Sequence, residues 1–419
     1  MQKSANLKKT VLVSALLLEL ASSAQAATIN VDGVTCNLND AIAAANNDAV
    51  SGGCTAGSGD DVLELPVGGL LNTTATLEID SNVTINGNGS VVQPDPGLPN
   101  GHRMINANSG VGVVININDL HLQNGGDAGD NIGGIRVNTN STLNVNRSSV
   151  TNMIGGGIVF QQSSGSVVDS VISNTGNGTG YYYGGPITIA NGTLTVSNTT
   201  ITANNNTDAG TGGSISVNGY YGGADLLVVN STISGNTSSY AGGGIGVTGY
   251  GNASSITLQN VSIVNNTSNG DGGGIHNDAS DIIISQSIIS GNTATGGSEI
   301  NSVGGTISVD DYNIFGSNSN SGVVGVTVGV SDIVPTETLT DVINLTLADN
   351  GGPTPTLALP TGSPAIDAVP VASCALMDDQ TGKDRPLDGN GDSMDDCDVG
   401  AFENDAVPNP DVIFEDGFE

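Results

Sequence analysis

Basic residues are scarce. The 419-residue chain has 8 Lys and Arg against 41 Asp and Glu, a formal net charge of −33. That balance excludes partners that need a positive field, nucleic acid and anionic membrane surfaces above all. It suits an exported protein that must stay in solution, and it leaves cations as ligands. Long apolar runs are missing as well. The stretch 11–18 is too short to span a bilayer and nothing downstream is long enough, so no transmembrane segment is expected. Catalytic side chains are thin through the middle. Between positions 133 and 280 the acids are Asp169, Asp208, Asp225, Asp271 and Asp278, and the cations are Arg136 and Arg147. A lyase acting on acidic sugars needs calcium held by carboxylates and a basic group to take the proton. A glycosidase needs carboxylates gathered on one face. Asp310 and Asp311 are adjacent, so in a strand they point to opposite faces. His276, with Asp271 and Asp278 nearby, reads as structural. An enzyme is not the favoured class.

What is there is a repeat. Leu122, Val150, Ile172, Ile201, Ile233, Ile263, Ile289 and Ile314 recur at steps of 22 to 32 residues. Five residues earlier stand Ile117, Val145, Val167, Val196, Val228, Leu258, Ile284 and Val309. Seven earlier stand Ile115, Leu143, Gly165, Leu194, Leu226, Ile256, Ile282 and Ile307. Such spacing places two strand residues on one face, then a bend, then a new strand. A third strand follows a glycine step: Gly134-Ile135, Gly157-Ile158, Gly213-Ser214-Ile215, Gly244-Ile245 and Gly274-Ile275. Self-similarity at this period without helical patterning predicts a solenoid. The class is all-β, a right-handed parallel β-helix with a short N-terminal capping helix and an irregular C-terminal cap. Its core should be aliphatic on all three strands and free of buried charge. Asparagines follow the first column by two or three residues, at Asn124, Asn152, Asn174, Asn204, Asn236, Asn266 and Asn292, and can stack as a hydrogen-bonded ladder.

The ends differ from the coils. Lys3, Lys8 and Lys9, the apolar run 11–18 and Ala24-Gln25-Ala26 read as a secretory signal over 1–26. The mature chain is then secreted or held at the outer cell surface, and is expected to be a monomer. Residues 27–65 form an N-terminal cap, with a helix that buries Leu38, Ile42 and Ala45, Asn37 as its N-cap, and the first strand at 60–65. The β-helix takes 66–345, a C-terminal cap 346–404, and a linker with an acidic tail 405–419. Four cysteines in an exported chain imply two disulfides. Of three connectivities, Cys36 with Cys54 and Cys374 with Cys397 is the expected one, because a rod separates the pairs.

Cys36-Asn37-Leu38-Asn39-Asp40-Ala41-Ile42, Ala44-Ala45-Asn46 and Gly53-Cys54-Thr55-Ala56-Gly57 resemble the CSLREA-motif N-terminal domain of bacterial surface β-helix proteins. Asn37, Asn39 and Asp40 stand where that motif has Ser, Arg and Glu. Leu347-Ala348-Asp349-Asn350-Gly351-Gly352-Pro353, Ser363-Pro364-Ala365-Ile366-Asp367, Arg385-Pro386 and Cys397-Asp398-Val399-Gly400-Ala401-Phe402-Glu403 are similar to the choice-of-anchor domain Q. The coils between fit the polymorphic-outer-membrane-protein-like group. The resemblance implies an exported, surface-associated protein whose work is adhesion. Neither domain brings a catalytic residue.

Two features carry the candidate sites. Asp388, Asn390, Asp392 and Asp396 follow the first part of a calcium loop, with oxygens at positions one, three, five and nine. Val399 occupies position twelve, where such loops have a bidentate Glu, so calcium would need a further ligand. Seven of the eight tyrosines fall between 181 and 250. Tyr181, Tyr182, Tyr183, Tyr220, Tyr221 and Tyr250 are candidate binding residues, since flat exposed rings suit sugars or a protein partner. Tyr220 and Tyr250 should stack within one loop column. The sequence thus reads as a surface protein for adhesion or for glycan or protein binding, with a polysaccharide lyase or hydrolase on the same scaffold as the alternative.

Overall fold

The computed structural model describes residues 25–98, 101–107, 112–126, 129, 132–176, 185–207, 212–309 and 311–405. The signal-like segment before residue 25, Tyr181 to Tyr183, Asp208, Asp310 and the acidic tail after 405 lie outside them. Parallel strands stack coil upon coil into a β-helix, with one sheet of 17 strands, a second of ten and a small third of three. The columns read from the sequence are pairing partners. Leu122, Val150, Ile172, Ile201, Ile233, Ile263 and Ile289 face one another in register. So do Ile115, Leu143, Gly165, Leu194, Leu226, Ile256, Ile282 and Ile307. The glycine-led strands align Ile135, Ile158, Ile187, Ile215, Ile245, Ile275 and Ile300.

The last coil departs from the expected column. Ile289 pairs with Phe315, and Ile314 pairs with Ile288. Eight residues rather than seven separate Ile307 from its inward partner there. One extra residue reverses the faces, so Phe315 enters the rod and Ile314 turns outward. The core is also not wholly aliphatic. Phe160 is fully buried, and a Cβ on Gly165 would come within 2.8 Å of its ring and 1.8 Å of Leu143 O. Glycine stands in an otherwise aliphatic column because that space is taken.

The asparagines divide by their offset. Asn124, Asn152 and Asn174, two residues past the column, have φ of 61°, 56° and 54° and are exposed turn residues. A short amide side chain tolerates that left-handed backbone. Asn204, Asn236, Asn266 and Asn292, three residues past it, are buried and form the ladder. Each side-chain amide donates to the next Oδ1, at 2.9, 2.8 and 3.0 Å. The ladder ends on a carboxylate, since Asn292 Nδ2 donates to Glu299 Oε2 at 2.6 Å. Glu299 also accepts from the backbone N–H of Gly291 and Asn292. Burial nevertheless pushes its pKa up to about 8. A titratable side chain is therefore buried among the coils, and its raised pKa favours the uncharged form at neutral pH.

At the N-terminal end the helix Leu38–Asn47 lies across the opening and buries Leu38, Ala41, Ile42, Ala44 and Ala45. Asn37 caps it by accepting from Asp40 N at 2.9 Å. The first strand is Thr28–Asn30, earlier than read from the sequence, and it pairs with Val62, Leu63 and Glu64. Two helix asparagines imitate a further strand. Asn46 donates to Glu78 O and accepts from Asp80 N, and Asn39 donates to Ala75 O and accepts from Thr74 N. An open strand edge templates pairing with other chains, and these amides occupy it.

Both disulfides, Cys36–Cys54 and Cys374–Cys397, are formed, and no cysteine is free. Among the described residues no helix is long and apolar enough to cross a membrane. The C-terminal segment is irregular, and it folds back along the flank of the rod rather than only covering its end. Gln380 reaches Thr200 and Thr232 at 2.9 and 2.6 Å, Asn230 donates to Asp378 O, and Gln286 donates to Ser373 O. A second core forms there, from Val264, Ile288 and Ile314 of the rod with Val342, Ile343, Leu357, Val369, Val399 and Phe402.

Candidate functional site

One corner of the coil links each strand of the ten-stranded sheet to the following strand of the large sheet. In successive coils it runs through residues 138–141, 162–163, 191, 219–223 and 249–254. The first three turns are short. The last two project as loops, and these carry the tyrosines. Asn218 shapes the first loop by accepting from Tyr220 N at 2.9 Å, which opens the short 3-10 turn Gly219–Tyr221. A Cβ on Gly219 would stand 2.1 Å from Gly249 O, so the two loops rest directly on each other. Asn252 Nδ2 joins them by donating to Gly219 O at 2.8 Å.

The rings form a cluster. Tyr220 lies 5.0 Å from Tyr221 and 6.0 Å from Tyr250, with interplanar angles of 85° and 83°. Tyr220 and Tyr250 therefore meet edge to face rather than stacked flat, the arrangement that the ring quadrupole favours. The three residues are 58%, 39% and 49% exposed. Tyr240 is exposed too, but it follows the strand Thr237–Ser238 and belongs to a different corner.

The candidate calcium loop is a hairpin tip. Asp388 accepts from the backbone N–H of Gly391, Asp392 and Ser393, Asn390 from Asp392 and Asp392 from Met394. Asp396 accepts from Val371 N at 2.7 Å. Asp367, a residue the motif does not contain, accepts from Gly389 and Asn390 at 3.0 and 2.8 Å. Burial, then the nearby Asp388 and Asp392, raise the Asp367 pKa. The tip is rich in oxygen, as calcium requires, but the oxygens named here already accept backbone N–H groups. Among the described residues no three His, Cys, Asp or Glu side chains converge to hold a metal.

Among the described residues, the sparse charged groups of the coils meet only locally. Arg147 is committed to Asp119 through two contacts of 2.8 Å, and Arg136 donates to Gln161 at 2.8 Å. His276 is half-buried, and burial lowers its pKa against the opposing pull of Asp278 and Asp271. The site that sequence reasoning missed is a polar cleft beside the tyrosine loops, lined by Asn140, Gln162 and Asn191 among others. These three amides occupy the same turn in successive coils, with φ of 66°, 52° and 66°, and nothing in the sequence marks the gap between them. No family model, curated protein or solved structure matches the chain.

Proposed function

We propose that the chain is an exported, surface-associated binding protein that attaches to glycan through the corner bearing Tyr220, Tyr221 and Tyr250. The observation that carries this is the exposed edge-to-face cluster on two stacked loops. Three large apolar rings held open to water on a rigid scaffold give a contact surface at low entropic cost. The formed disulfides and the resemblance of both ends to bacterial surface β-helix proteins support an extracellular setting. The charge of −33 is adverse to anionic surfaces and favours uncharged ones.

The test is the Tyr220→Ala, Tyr221→Ala, Tyr250→Ala triple variant, measured for attachment to polysaccharide-coated surfaces and to cells. Aromatic anchors are each worth about 1–2 kcal/mol at an interface, so affinity should fall at least about tenfold. The thermal midpoint should hold, because exposed rings add little to the core. Full retention of attachment by the triple variant would reduce the tyrosines to loop packing.

A further inference from the structure

We infer that the glycan is an uncharged oligosaccharide several sugars long, running from the tyrosine cluster into the adjoining cleft. This rests on the glycan reading above and extends it. The cleft has a volume of about 320 Å³ and lies on the same corner as the tyrosines, in the coils immediately N-terminal to them. The two features are joined, since Asn191 Nδ2 donates to Tyr221 O at 3.1 Å and a Cβ on Gly222 would touch the Asn191 side chain.

None of the lining residues is charged. Thr139, Asn140, Ser141, Gln162 and Asn191 offer hydroxyls and amides, groups that both donate and accept. Much of that capacity is unused. Gln162 accepts from Thr139 Oγ1 at 3.3 Å, but among the described residues its amide nitrogen, the whole Asn140 amide and the Asn191 amide oxygen meet no hydrogen-bond partner. Ser141 Oγ is buried and unpartnered, and a buried hydroxyl ordinarily has a partner. A row of paired donors and acceptors without charge matches the hydroxyls of a neutral sugar. An acidic sugar would meet no cation here, within a chain of strongly negative charge.

Length follows from the coil spacing. Asn140, Gln162, Asn191, Tyr220 and Tyr250 stand on five successive coils. At about 4.8 Å per coil the row extends about 19 Å, which exceeds a monosaccharide and fits a short oligosaccharide.

The experiment is titration calorimetry of the full chain with neutral oligosaccharides of two to six units, drawn from a glycan array, alongside uronate-containing oligosaccharides of equal length. Asn140→Gly with Gln162→Gly removes two cleft amides while suiting the left-handed backbone at both positions. Affinity should rise at least tenfold between the shortest and longest neutral ligands, and fall at least tenfold for the uronates. The double-glycine variant should lose the gain from length and bind the shortest ligand unchanged, whereas the tyrosine triple variant should weaken both. If length confers no gain, or the double-glycine variant keeps it, the extended site is overturned while the tyrosine platform stands. If the wild type binds no neutral glycan and its attachment to cells is abolished by protease treatment of the cells, the partner is protein and both readings fall.

Discussion

Replacing Arg385 with glutamine should release residues 346–404 from the flank of the rod at pH 8 and leave the coils folded. Arg385 is buried with its Nη1 2.8 Å from Glu403 Oε2, and it donates to the carbonyls of Asp398 and Gly400 at 2.7 Å each. Asp379, Asp398 and Glu403 are fully buried around it. Asp379 ties the group together by accepting from Glu403 N, and Glu403 accepts from Asp398 N and Leu387 N. One guanidinium thus serves this network, meeting Glu403 directly and acting on Asp398 through space, while Asp379 joins through the Glu403 backbone. Removing one partner of a buried ion pair costs on the order of 3–5 kcal/mol, because the other charge is left in a medium that solvates it poorly. The second core is separate from the main one, so the loss should appear as a new low-temperature transition. Limited proteolysis should then yield a rod fragment ending near 345. A variant that melts like the wild type at pH 8 would refute the network's role.

The same network sets a pH dependence whose sign is fixed. Burial, and next the charge of Glu403, push Asp398 up to about 8, and burial pushes Glu403 up to about 7. Both folded values lie above the unfolded ones, so the folded segment holds protons that the unfolded chain gives up. This stabilisation is fully present below about pH 4 and is lost as pH rises through 7 to 8. The segment's thermal midpoint should therefore fall between pH 5 and pH 9. Asp398→Asn, which cannot ionise, should flatten the fall. The Arg385→Gln defect should also shrink at pH 5, where the stranded carboxylates take up protons. A midpoint that rises over this range would contradict the assignment.

The coils were legible in the sequence because a period of two along each strand and one residue type per column are repeated many times. Register errors arise where the repeat changes by one residue, as at Ile314 and Phe315. The asparagine column looks like one ladder in the sequence because offsets of two and three differ by a single residue. In three dimensions they separate a left-handed turn residue from a buried one. The fold-back of the C-terminal segment leaves a trace in the sequence. The outward column runs Ser149, Val171, Thr200, Thr232, Ser262, Ile288, Ile314, and isoleucine on a solvent face implies a cover. The tyrosine cluster was foreseeable from the spacing of Tyr220 and Tyr250. The cleft was not, since its residues are ordinary turn amides whose meaning comes from the gap between them.

Ile263→Asp should unfold the middle of the rod, and Glu299 shows why. Glu299 is a buried carboxylate that the coils tolerate, with two backbone N–H donors and the Asn292 amide on its oxygens. Even so, burial keeps its pKa near 8. Ile263 sits in register between Ile233 and Ile289 and is fully buried, and a Cβ on Gly244 would come within 2.8 Å of its Cγ2. A carboxylate there would meet packed aliphatic groups. An unpaired charge or an unbonded acid in such a place costs several kcal/mol. Because each coil contacts only its neighbours, the damage should centre on the coils at 233, 263 and 289 and weaken outward. Hydrogen exchange should show protection lost first at those strands, with the N-terminal coils near Leu122 retaining theirs. Ile263→Asp with an unchanged melting temperature would mean that this side chain does not face the core, and the register of the whole column would have to be redrawn.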